Sequence, residues 1–139
     1  MRTPTLKRNA LVVIALLLVG CSGTPSSQSL DRITELLPGK WAVVAEIYGT
    51  RLEGLESYSN DGTLESTTKI TQADTTKTMR FKGTWAVEDE TIVRTYTESN
   101  APEVIPVGYV SKSKVTFIGE SQFSYVDEEG TAVTLYRTK

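Results

Sequence analysis

The chain has 139 residues with 15 basic and 17 acidic side chains, a formal net charge of −2. That length holds one domain rather than two, and the charge argues against nucleic-acid binding. Histidine is absent and cysteine occurs once, which removes a Ser-His-Asp triad, the commonest metal ligand and any intramolecular disulfide.

In chain order, the first signal is at the N terminus. Arg2, Lys7 and Arg8 precede an unbroken apolar run over residues 10–19. The run is too short to span a bilayer, which needs about 20 apolar residues. A basic start followed by a short apolar core is the pattern of an export signal. The run ends in Leu18-Val19-Gly20-Cys21. These four residues resemble the lipobox of bacterial lipoproteins. The resemblance implies cleavage between Gly20 and Cys21 and a thioether-linked lipid on Cys21. An ordinary secretory signal with a chance cysteine is the alternative. On the first reading residues 1–20 are a signal peptide, and the membrane is reached through the Cys21 lipid. Two or three acyl chains, at about 0.8 kcal/mol per buried methylene, give stable anchoring. Without Arg2, Lys7 and Arg8 the remaining chain carries twelve basic against 17 acidic residues, a net charge of −5. By the same resemblance, Ser22 in place of an aspartate implies the outer membrane of a two-membrane envelope, on its periplasmic face.

Residues 22–29 are Ser, Gly, Thr, Pro and Gln only. Nothing there can be buried, so residues 21–29 read as a tether spanning roughly 16 Å as a coil. Leu30, Ile33, Leu36 and Leu37 then fall on one helical face, with Ser29 as N-cap and Pro38-Gly39 as the stop. This is a short helix of about two turns, which needs a body to pack on.

After Gly39 the period changes to two. Trp41, Val43, Ala45 and Ile47 alternate with their neighbours, and Met79, Phe81, Gly83, Trp85 and Val87 do so more cleanly. Turn signals recur at Tyr48-Gly49-Thr50, Asn60-Asp61-Gly62, Glu88-Asp89-Glu90, Gly119-Glu120-Ser121 and Glu128-Glu129-Gly130. The spacing predicts an antiparallel meander of about eight strands: 40–48, 51–59, 63–71, 78–88, 91–97, 106–112, 114–119 with 122–127, and 131–138. Gly119-Glu120-Ser121 reads as a bulge or as a true turn that would make nine strands. Residues 71–78 and 98–106 are expected to be loops, the second because of Pro102 and Pro106. Eight short strands without a Cys…Trp…Cys spacing favour a closed up-and-down barrel over a sandwich. The prediction is therefore an all-β domain over residues 30–139, a small antiparallel barrel preceded by a short helix.

Leu36-Leu37-Pro38-Gly39-Lys40-Trp41, a helical turn leading into Gly-x-Trp, resembles the opening of a lipocalin, and Gly83-Thr84-Trp85 resembles the lipocalin-like domains of bacterial lipoproteins. The resemblance implies that Trp41 closes one barrel end against the helix, leaving the other as a mouth. The sequence lacks the family's Thr-Asp-Tyr motif, and its only counterpart to the family's late arginine is Arg137.

Candidate chemistry is sparse. Most carboxylates lie in turns, no spacing suggests a metal site, no cofactor motif is present, and Ser111-Lys112-Ser113-Lys114 reads as an exposed strand or turn. Arg94 is in phase with Ile92 and Tyr96. Three arrangements are open: Arg94 points inward as an anion hook, it lies on the surface, or it pairs with Glu56. Tyr58, Phe81, Trp85, Tyr96 and Phe123 are candidate lining residues, with Arg94, Tyr96, Tyr58 and Phe81 the ligand-binding set and residues 71–78 the rim. The expected function is a lipid-anchored envelope protein that binds a small apolar or amphipathic ligand without catalysis. The alternative is a structural or partner-binding lipoprotein whose barrel is filled by its own side chains.

Overall fold

A computed structural model of the chain describes residues 30–139. The segments expected as signal peptide and tether, with Gly20, Cys21 and Ser29, lie outside the described residues. One short helix, α1 (Leu30–Leu36), precedes eight strands: β1 (Gly39–Ile47), β2 (Thr50–Tyr58), β3 (Thr63–Gln72), β4 (Thr75–Glu88), β5 (Thr91–Ser99), β6 (Val110–Ile118), β7 (Gln122–Val126) and β8 (Ala132–Arg137). Each pairs antiparallel with the next, and β8 returns to β1 through Trp41↔Arg137 and Ala42↔Tyr136, closing the barrel. The expected fold class is the one observed. The β1–β8 seam rests on these two pairs alone, beside the full-length β1–β2 ladder.

The loop expected at 98–106 is observed as the connection over residues 100–109, but one expected loop and one expected pair of strands differ. Residues 71–78 are not a loop: β3 and β4 run on to a two-residue turn at Ala73-Asp74, with Ala73 at φ 52°. Threonine suits a pleated surface as well as it suits a loop. Here Thr71 faces Thr76, and their hydroxyls meet at 3.0 Å. The expected strands 106–112 and 114–119 are one strand, β6, which starts at Val110. Before it, turns occupy residues 101–109, with Val104 N–H donating to the Ala101 carbonyl and Tyr109 N–H to that of Pro106. Gly119-Glu120-Ser121 is a true turn, closed by Gly119 N–H donating to the Gln122 carbonyl at 2.8 Å. Merging one pair and splitting the other keeps the count at eight.

The lower end of the barrel is sealed. Ile33 and Leu37 of the helical segment, Trp41 and Phe123 have no exposed surface, and Leu135 has almost none. Trp41 Nε1 donates to the Leu37 carbonyl at 2.8 Å, and its ring meets Phe123 edge-on at 5.6 Å. Arg137 lies over the Trp41 ring at 4.2 Å and donates to the carbonyls of Leu36, Pro38 and Glu120. It thereby satisfies carbonyls that the end of α1 leaves without helical partners. Gly39 makes room for it: a Cβ there, at φ +136°, would sit 2.2 Å from Arg137 Nη1. The Gly-x-Trp opening and the late arginine are thus one packed unit.

Gly83 serves a second close approach. It lies at a register shift between β4 and β5, and a Cβ would fall 2.0 Å from the Thr95 carbonyl oxygen. Trp85, a candidate lining residue, is half-buried. It donates to the Ser59 carbonyl at 2.9 Å and meets Tyr58 edge-on, so it braces the barrel wall at the 59–62 turn rather than filling the centre.

Candidate functional site

The inward face of β2 breaks the polar-out rule. Leu55 faces solvent, while Glu56 shares the inward parity of Gly54 and Tyr58. A residue that inverts the pattern is stabilised by something inside. That something is Arg94 of β5, only 2 % exposed between Ile92 and Tyr96. Arg94 Nε donates to the Tyr58 hydroxyl at 2.8 Å, and Nη1 donates to Ser113 Oγ of β6 at 2.8 Å. The Tyr58 hydroxyl in turn donates a hydrogen bond to Glu56 Oε2 at 2.7 Å, and Arg94 Nη2 lies 3.7 Å from the same oxygen. The guanidinium also sits 5.7 Å from the Tyr58 ring centre and 5.0 Å from that of Tyr125.

Of the three arrangements open for Arg94, the structure combines two: the side chain points inward and is paired with Glu56. The surface alternative is excluded. Among the described residues, Arg94 Nη2 is the one buried side-chain polar atom without a hydrogen-bond partner. Burial opposes the Arg94 charge, but interactions with Tyr58, then Glu56 and the other tyrosines, outweigh it and hold the guanidinium pKa well above its usual value.

The same burial keeps the surrounding phenols neutral. It raises the Tyr96 pKa to about 12 and lifts Tyr58 and Tyr125 as well; Arg94 opposes each shift and Glu56 adds to it. A raised phenol pKa means that the folded state holds its proton after the unfolded chain has released it. Stability is therefore complete below the unfolded value near pH 10 and falls as pH rises from 10 through 12. For Tyr96 alone the loss is about 3 kcal/mol. Alkaline titration followed by far-UV circular dichroism should show cooperative unfolding in that window. Phenolate absorbance reaching the level of all six tyrosines without unfolding would contradict the burial of the Tyr58, Tyr96 and Tyr125 hydroxyls.

The predicted ligand set divides. Arg94 and Tyr58 are joined in the network. Phe81 and Tyr96 form a neighbouring edge-to-face pair at 6.0 Å, and Tyr96 stacks on Tyr109 at 6.3 Å. Phe123, a candidate lining residue, belongs to the sealed lower end. Ser113 and Tyr125 were missed as partners of Arg94. Ser111-Lys112-Ser113-Lys114 is a strand with Ser113 buried, not a wholly exposed segment. Lys112 and Lys114 mark its outward parity, and that signal pointed to Ser113 as an inward residue.

Above the network the filling is uneven, with Ala45, Met79, Phe81 and Tyr96 buried. The inward residues Val43, Ser66, Thr68, Ile70, Tyr125 and Val133 are only partly buried, in contrast to the sealed lower end. A cavity of about 550 Å³ lies against the β3–β4 hairpin, lined by Ile70, Gln72, Ala73, Thr75 and Lys77. The strand order puts this hairpin at the end opposite Trp41, because β1 and β3 run upward and β2 and β4 run downward. Residues 71–78, expected as a rim loop, form a tight hairpin at this end. Lys77 pairs with Glu103 at 3.0 Å across the β5–β6 connection. Among the described residues, no three His, Cys, Asp or Glu side chains form a metal-binding group.

No family model matches the chain, and no curated protein is similar to it. Several solved β-barrels are. EF1p2_mFAP2b bound to DFHBI is 19% identical, over 79% of this chain and 100% of its own, with a TM-score of 0.49. The redesigned beta barrel b11L5F_LGL is 22% identical, over 82% of this chain and 100% of its own, with a TM-score of 0.47. The redesigned beta barrel mFAP1 bound to DFHBI is 22% identical, over 78% of this chain and 99% of its own, with a TM-score of 0.40. At these values the likeness extends no further than the fold.

Proposed function

We propose that the barrel binds a small amphipathic molecule through the end opposite Trp41 and holds it without transforming it. The observation that carries this reading is the asymmetry of filling. One end is packed to zero exposure around Trp41, while inward residues at the other remain partly exposed beside a cavity of about 550 Å³. An eight-stranded barrel has room for one small ligand. The Arg94–Tyr58–Glu56 network forms a polar floor between the two halves. The Gly39–Trp41–Arg137 unit supports a lipocalin-like reading of the chain.

Nile red, an uncharged dye that brightens in apolar surroundings, tests the proposal. The protein should bind it saturably, and Ile70→Trp, which fills the mouth, should weaken binding on the order of tenfold or more. Binding unchanged by Ile70→Trp would place the dye elsewhere. The partner-binding alternative has one observation in its favour: Val104, Val107 and Tyr109 are exposed on the β5–β6 connection.

The proposal includes the membrane. Lipidation at Cys21 would hold the domain at a bilayer, in a two-membrane envelope at the periplasmic face of the outer membrane. Radiolabelled palmitate should enter the wild-type protein and be absent from Cys21→Ser, which should also accumulate unprocessed. Label retained by Cys21→Ser would rule the anchor out.

A further inference from the structure

The ligand-binding reading leaves the ligand's chemistry open, and the obvious choice, a fatty-acid carboxylate on Arg94, conflicts with the geometry. Arg94 is 2 % exposed. Two of its three nitrogens are used by Tyr58 and Ser113, and the third, Nη2, has no accessible surface. The guanidinium is therefore closed to a ligand head group. Glu56 is different: its side chain keeps 17 % of its surface on the inward face of β2. Oε2 accepts from Tyr58 and faces Arg94. Among the described residues none donates to Oε1, and Oε1 is not among the occluded polar atoms.

Resting on that reading, we infer that the barrel selects an amphipathic ligand whose head group donates a hydrogen bond, an alcohol or amine rather than a carboxylate, to the free Oε1 of Glu56. A donor there forms a charge-assisted bond with an ionised acceptor inside a poorly solvated space. A carboxylate would instead place a second negative charge beside Glu56, with the Arg94 charge already committed. Lys77 does not rescue the carboxylate. Its side chain is 59 % exposed at the rim and paired with Glu103, so its field is screened by solvent and partner.

The test uses two probes that differ only in the head, 11-(dansylamino)undecan-1-ol and 11-(dansylamino)undecanoic acid. Each is titrated into the full-length protein at pH 7.5. Dansyl emission excited through Trp41 and Trp85 reports only protein-bound probe. The alcohol should bind on the order of tenfold tighter than the acid. Glu56→Gln, which keeps the shape and removes the charge, should bring the two within about threefold. Acid binding as tightly as alcohol to the wild type, or a preference unchanged by Glu56→Gln, would overturn the inference while leaving ligand binding intact. Binding of neither probe would remove the ligand-binding reading itself. If Glu56→Gln loses its β-sheet circular dichroism, the double variant Glu56→Gln/Arg94→Met, which removes both charges, takes its place with the same expected convergence.

Discussion

Glu56→Ala should cost the fold about 3–5 kcal/mol, the usual penalty for breaking a buried ion pair from one side. The substitution removes the acceptor of the Tyr58 hydrogen bond and, among the described residues, the one carboxylate paired with Arg94, which then stays charged and enclosed. The loss reflects the stranded charge more than the worth of the pair. Replacing both partners with apolar residues of similar volume, Glu56→Leu with Arg94→Met, should therefore recover most of the stability, since such replacements are often neutral or stabilising. Urea unfolding of the three proteins gives both numbers. A loss below about 1 kcal/mol in Glu56→Ala, outside the range for a stranded buried charge, would show that Arg94 finds solvent.

Trp41→Ala should be as damaging, at about 3–5 kcal/mol for a buried aromatic truncated to a methyl. The ring contacts Phe123, carries Arg137 on its face and donates to Leu37. Its removal empties the lower end and frees α1 and Arg137 together. Trp85→Ala, at a half-buried wall position, should lose clearly less. Guanidinium melts that rank Trp85 above Trp41 would contradict the assignment of the sealed end to Trp41.

The barrel was legible in the sequence wherever apolar residues alternated with charged ones. In β4, Arg80 and Lys82 label the outward parity and Met79 and Phe81 the inward one. Residues 71–78 misled because threonine is polar by composition but strand-forming by shape, and a two-residue turn leaves almost no loop composition to read. The expected strand 106–112 began too early because apolar Val107 and Tyr109 lie in a turn-rich connection, and β6 starts only at Val110.

The candidate site was half legible. Arg94 could be put in phase with Ile92 and Tyr96, yet a single strand does not say which of its two faces is inside. That answer depends on long-range partners: Tyr58 is 36 residues away and Ser113 is 19. Arg137 was visible only as a residue type. Its role depends on a guanidinium fitting where Gly39 has no side chain, a contact across 98 positions of the chain.

Methyl chemical shifts recorded during titration with 11-(dansylamino)undecan-1-ol test the central claim, that the end opposite Trp41 holds the ligand. The account predicts saturable shifts at Val43, Ile70 and Val133, with Ile33, Leu37 and Leu135 at the sealed end unmoved. Shifts confined to the sealed end or the outer surface, or none at saturating probe, would contradict it.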